Sequence, residues 1–89
     1  MGIDIQLMKE RDFDRLAKRA FTEKEQGLFF SLPPDRHREQ FFKTWTAKES
    51  FIKYLGTGGK DLKKDIDETC VVRTTRFSTN YMVSVCTGQ

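Results

Sequence analysis

Three charged side chains fall within six positions of the stretch Trp45-Thr46-Ala47-Lys48-Glu49-Ser50-Phe51-Ile52-Lys53. Wound as a helix, at roughly 100° per residue, the stretch places Phe41, Trp45, Ile52 and Leu55 on one apolar stripe. Thr46, Ala47 and Ser50 take the opposite, milder face. Lys48 lands inside the apolar stripe, and Glu49 and Lys53 run along its edge near Phe42. Burying an unpaired charge is costly, so this placement points to a helix that lines a polar cleft and does not merely close a core. The plain alternative is a helix edge carrying a Glu49–Lys53 pair of i,i+4 spacing, worth about 0.2–0.5 kcal/mol. Pattern alone leaves both open.

The elements that must position this stretch can be read in order. Gly2 to Leu7 alternates, with Ile3, Ile5 and Leu7 set against Asp4 and Gln6. A period of two predicts a strand with one apolar and one polar face, so Asp4 and Gln6 point the same way. Phe13, Leu16, Ala17 and Ala20 recur at helical spacing and predict a helix over 12–21. Thr22-Glu23-Lys24-Glu25 reads as a capping box opening a second helix that runs to about Phe30. Pro33-Pro34 stops it, because consecutive prolines cannot continue a helix. A long third helix then starts at Pro34 or Asp35 and ends near Leu55, before Gly56. His37, between Arg36 and Arg38, reads as a surface residue at its exposed start. Gly56 to Asp65 reads as a flexible, mainly basic loop. Thr69 to Phe77 and Tyr81 to Cys86 predict a β-hairpin, and a turn at Ser78 would set Cys70 opposite Cys86. The expected fold is α+β: one strand, three helices and a hairpin, in a single domain over 1–89.

Two motifs carry a resemblance. Gly2-Ile3-Asp4-Ile5 and Trp45 to Lys53 are similar to the two-part signature of the 4′-phosphopantetheinyl transferases, G-(I/V)-D-(I/V) followed by (W/F)-(S/T)-x-K-E-(S/A)-x-x-K. Arg36, Phe41 and Phe42 before the tryptophan, and Gly56-Thr57-Gly58 after the last lysine, also fit. Trp45 in place of Phe favours the Sfp-type class over the small holo-acyl-carrier-protein synthases. The order of elements resembles one half of an Sfp-type enzyme.

The resemblance implies transfer of the phosphopantetheine arm of coenzyme A to a serine of an acyl or peptidyl carrier protein. Asp4 and Glu49 match the family's metal-binding acids, which implies Mg²⁺ held against the coenzyme pyrophosphate. Lys53 matches the lysine that contacts a coenzyme A phosphate and protonates the departing 3′,5′-ADP, and Lys48 is expected near the same phosphates. The glutamate equivalent to Glu49 also stands as the base for the carrier serine, with a metal-bound water as the competing base. Three departures stand out. Gln6 occupies the place of a second acid and offers a neutral carbonyl oxygen as a third metal ligand. Gly59 replaces the apolar residue that usually ends the G-x-G-L turn. Only the second of the two Sfp-type halves is represented, so either a homo-oligomer, a dimer or a ring of three, completes the site, or the chain is a non-catalytic fragment or binding module.

Composition narrows the field. At 89 residues the chain has a modest core, and small domains are often stabilised by a partner. Hydrophobic residues at 37% and charged residues at 33% describe an ordinary ordered domain rather than a disordered one. There is no apolar run of membrane-spanning length and no signal-peptide pattern at the start, so the reading is cytoplasmic, without a membrane partner. A formal charge of +3 is mildly basic, but no concentrated basic face with interleaved aromatics argues for nucleic acid. Cys70 and Cys86 form neither a disulfide framework nor a zinc spacing.

Overall fold

The computed structural model describes residues 1–56, 63–66 and 70–88. Strand β1 (Gly2–Leu7) is followed by α1 (Phe13–Ala20), α2 (Glu23–Ser31), a 3₁₀ turn (Pro34–Arg36), α3 (His37–Leu55) and the hairpin β2 (Cys70–Arg76) and β3 (Tyr81–Gly88). The sheet order is β1-β3-β2, antiparallel throughout, so the last strand runs between the first and the hairpin's other arm. This is the expected α+β architecture. Among the described residues no helix is long and apolar enough to cross a membrane.

Local chemistry accounts for the helix ends. Asp12 caps α1 by accepting the Arg15 N–H at 3.2 Å. Thr22 and Glu25 form the capping box of α2, with both reciprocal bonds present at 3.2 and 2.9 Å. After Pro33 the chain makes a 3₁₀ turn, closed by the Arg36 N–H on the Pro33 carbonyl at 2.9 Å. The α-helical bonding therefore begins at His37, later than the proline itself. Gly56 closes α3 at φ +73°, a left-handed cap that glycine adopts without penalty. Thr57 to Leu62, which include the glycine turn and Gly59, lie outside the described residues.

The three helices enclose an aromatic core. Phe13, Phe21 and Phe42 surround Phe41, with centroid distances of 5.1 to 5.8 Å among these rings, and Met82 of β3 closes the cluster from the sheet. His37 joins this core and is not a free surface residue. Its ring stacks on Phe29 at 4.2 Å, Nε2 lies 2.9 Å from the Leu32 carbonyl and Nδ1 lies 3.6 Å from Asp14. The 3₁₀ turn folds the helix start back onto α2, which a flat reading of an Arg-His-Arg run misses.

Two further expectations change in three dimensions. The hairpin pairs Arg76 with Met82, so its turn is centred on Thr79 and Cys86 faces Val72, while Cys70 faces Gly88. The Arg76 guanidinium bonds the Ser78 and Thr79 carbonyls, which holds the longer turn and moves the register by two residues. The milder face of α3 is also not its outer face. Thr46 and Ser50 are fully buried, because β1 approaches the α3 backbone closely along this side. The strand's polar face is accordingly the inner one. Asp4 is 4% exposed beneath α3, whereas Ile3, Ile5 and Leu7 are on the open face of the sheet.

Candidate active site

Strand alternation and helix pitch together bring the two motifs into contact. Asp4 projects from β1 toward α3, and Lys53, in the last turn of α3, reaches back to it. Lys53 Nζ donates to Asp4 Oδ1 at 2.8 Å and to the Ile3 carbonyl at 3.2 Å. Gln6, two residues along the same strand face, donates from Nε2 to Asp4 Oδ2 at 2.8 Å. Both carboxylate oxygens of a nearly buried acid are thus satisfied, one by a charge and one by an amide, as its burial demands. Across the sheet Asp4 stands opposite Ser84, whose hydroxyl is 2.7 Å from that of Thr74. A polar row therefore runs under α3 from strand to strand.

Glu49 lies one turn before Lys53 on α3 and shares this site electrostatically. Burial pushes its carboxyl above its usual value of 4.5, the negative charge of Asp4 pushes it further, and Lys53 pulls it partly back. Glu49 and Gln6 also border a cleft of about 260 Å³ whose remaining walls are Arg11, Leu16, Phe41, Phe42 and Trp45. Three of those five are aromatic. A carboxyl there has an apolar surround on one side and the Asp4–Lys53 pair on the other, a setting that tunes a carboxyl toward proton transfer.

Four of the five residues singled out from the sequence, Asp4, Gln6, Glu49 and Lys53, meet at this place. Lys48 does not join them. Its side chain is 1% exposed and turns toward α2, where Nζ pairs with Glu25 at 2.8 Å and donates to the Lys64 carbonyl at 3.1 Å. Sequence reasoning also passed over Arg11, Ser84 and Thr74. Arg11 carries a signal, since it directly precedes the capping Asp12 and so must lie at the mouth between strand and helix. Ser84 and Thr74 carry none beyond alternation, because their place beside Asp4 depends on a pairing register that is set over long range. Among the described residues no three His, Cys, Asp or Glu side chains cluster as a metal site, so the oxygen donors here are two carboxylates and an amide.

A family model described as the 4′-phosphopantetheinyl transferase superfamily matches residues 1–87. The chain is 34% identical to a 4′-phosphopantetheinyl transferase of Bacillus subtilis, over 97% of this chain and 46% of that protein. It is 32% identical to the 4′-phosphopantetheinyl transferase psf-1 of Bacillus pumilus, over 98% of this chain and 44% of the relative. A holo-[acyl-carrier-protein] synthase of Streptococcus pyogenes is 35% identical over 74% of this chain and 61% of its own length. The chain spans less than half the length of the two Bacillus relatives.

Proposed function

Because this chain belongs to the 4′-phosphopantetheinyl transferase superfamily, we propose that it carries one half of a phosphopantetheinyl transferase site. The reaction moves the 4′-phosphopantetheine arm of coenzyme A onto a serine of an acyl or peptidyl carrier protein. The observation that carries this reading is the convergence of Asp4 and Lys53, 49 residues apart, at one buried carboxylate beside Glu49.

The residues have complementary tasks. Glu49, with a raised carboxyl pKa, takes the proton of the carrier serine. The serine oxygen then bonds to the pantetheine-side phosphorus of the coenzyme pyrophosphate, and the bond from that phosphorus to the bridging oxygen breaks. Lys53, half-exposed and able to swing from Asp4, meets the phosphates and gives a proton to the departing 3′,5′-ADP. Asp4, Glu49 and the Gln6 carbonyl would hold Mg²⁺, since two nearby anions offset by one ammonium are a hard-oxygen donor set that this ion fits. When bound, the ion supplies neutralisation of the pyrophosphate charge. Lys48 has no phosphate contact in this scheme, because its ammonium is buried and paired elsewhere.

These residues match less than half the length of the two Bacillus relatives, so part of the coenzyme cleft comes from outside them. Ile3, Ile5, Leu7, Phe77 and Tyr81 are all exposed on or beside the open face of the sheet. Ile5, Phe77, Tyr81 and Val83 line an apolar depression of about 350 Å³ there. Apolar patches of this kind are generally covered in soluble proteins. A second copy of the chain, in a dimer or a ring of three, covers this face and, reaching past the β1 edge of the sheet, completes the coenzyme cleft on the α3 side. The competing reading is a fragment or binding module that keeps the fold without turnover, and the same uncovered face favours it if no second copy binds. Incubation with coenzyme A, Mg²⁺ and an apo carrier protein tests the reading, with intact mass reporting whether the arm is added. An unmodified carrier at high protein concentration overturns it.

A further inference from the structure

Within the Trp45–Lys53 motif Lys48 is the one charged side chain that the reaction scheme leaves unused, and at 1% exposure it is among the most buried of the described residues. Its surroundings are a closed junction. Glu25 Oε1 lies 2.8 Å from Lys48 Nζ and accepts the Thr22 N–H at 2.9 Å, so the capping acid of α2 serves the cap and the lysine at once. Thr22 Oγ1 donates to Asp65 at 2.6 Å, and Lys48 donates to the Lys64 carbonyl. Lys63 Nζ completes the tie by donating to the carbonyls of Lys18 and Phe21, both at 3.0 Å. Segment 63–66 is thereby strapped across the end of α1 and the start of α2, with the Lys48 ammonium at its inner side.

On the helix wheel Lys48 is about 140° from Lys53 and about 100° from Glu49. Lysine pairs therefore hold α3 from two sides, Lys53 to β1 and Lys48 to α2. A helix gripped at only one side can roll on its apolar contacts, whereas two charge-assisted bonds on separate sides fix its rotation. We infer that Lys48 is a positioning residue: through its buried bond to Glu25 it sets the rotation of α3 that turns Glu49 and Lys53 toward Asp4, and it binds no phosphate. The effect on catalysis rests on the transferase reading, but the grip on α3 does not.

The test is a single and a paired substitution. Lys48→Met leaves Glu25 as a buried charge without its partner and should lower Tm by about 10 °C or more. Adding Glu25→Gln removes that charge while keeping an acceptor for the Thr22 N–H, since Glu and Gln both serve a capping box. The new amide can also donate to the Lys64 carbonyl that Lys48 has left. The paired variant should recover most of the lost Tm and the slow amide exchange of segment 63–66. A merely local strap would change those signals alone. A positioning role also moves the amide resonances of Asp4, Glu49 and Lys53 in the single variant and returns them in the paired one. Coenzyme A affinity should fall about tenfold in the single variant and return to within about twofold in the pair. A paired variant that is folded yet still deficient in coenzyme A binding makes Lys48 a ligand and overturns the inference. Unmoved Asp4 and Glu49 resonances, or no recovery of Tm, overturn it as well. If the unaltered chain takes up no coenzyme A, the transferase reading fails, and the resonance and Tm measurements decide the role of Lys48 by themselves.

Discussion

A Cβ placed on Gly2 would lie within the van der Waals envelope of the Ser50 carbonyl oxygen, so β1 meets α3 backbone against backbone. The same Cβ would be 2.5 Å from the Tyr54 nitrogen, and neither atom is the free end of a flexible side chain. Asp4, next on this strand face, owes its reach to Lys53 to this close approach. Gly2→Ala is therefore predicted to push β1 from α3 and to cost about 1–3 kcal/mol, the range for overpacking. Gly27, exposed on α2 with open space around its α-carbon, is the contrast. Gly27→Ala should stabilise by about 0.5–1 kcal/mol through helix propensity. Denaturant melts of both variants check the pair, and an alanine at position 2 that is neutral would refute the close-approach argument.

Glu49 gives a pH signature in protein without divalent ions. Its carboxyl pKa is raised, first by burial and then by Asp4. A carboxyl of this kind holds its proton more tightly folded than unfolded, so its ionisation weakens the fold. The loss is absent below the ordinary value of 4.5, grows as pH rises through the raised folded value, and is complete above it. Glu49→Gln should remove this pH dependence and raise Tm at pH 7 by a few degrees or so. It should also abolish transfer with the fold intact. A lower Tm for the variant at pH 7 would contradict the assignment.

Gln6 tests the metal reading from the other direction. Its amide now donates to Asp4, so Gln6→Glu exchanges a hydrogen bond for a like-charge contact at a buried acid. Without divalent ions the variant should melt lower than the parent. Adding Mg²⁺ should raise its Tm by more than it raises the parent's, because a third carboxylate strengthens attraction for the ion. Equal thermal shifts in the two proteins would mean that position 6 does not face the metal.

Assembly is open to a surface substitution. Ile5 is 60% exposed and lines the apolar depression on the sheet. Ile5→Lys should convert an oligomer to monomers in sedimentation at micromolar concentration and abolish transfer, while leaving the monomer folded. A parent chain that sediments as a monomer yet still transfers phosphopantetheine would exclude the assembly argument.

Much of this protein follows from short-range patterns. The alternation around Asp4 and Gln6, the Thr22–Glu25 capping box, the proline stop and the periodicity through Trp45 each depend on neighbours a few residues apart. For that reason the order of strand, helices and hairpin was legible, whereas the meeting of Asp4 and Gln6 with Glu49 and Lys53 was expected only from the family resemblance of the two motifs. Tertiary structure decided what those patterns face. A period of two says that Asp4 and Ile5 point apart but not which points inward, and Gly2 against Ser50 settles it by letting the strand's polar side close on the helix. Helical pitch puts Lys48 among apolar residues without naming a partner, and Glu25 on another helix supplies one. His37 was drawn into the aromatic core by a turn, and Cys86 was set against Val72 by the centre of another. Side-chain periodicity is a property of one element, whereas burial and charge pairing belong to the contact between two, and only the folded chain contains that contact.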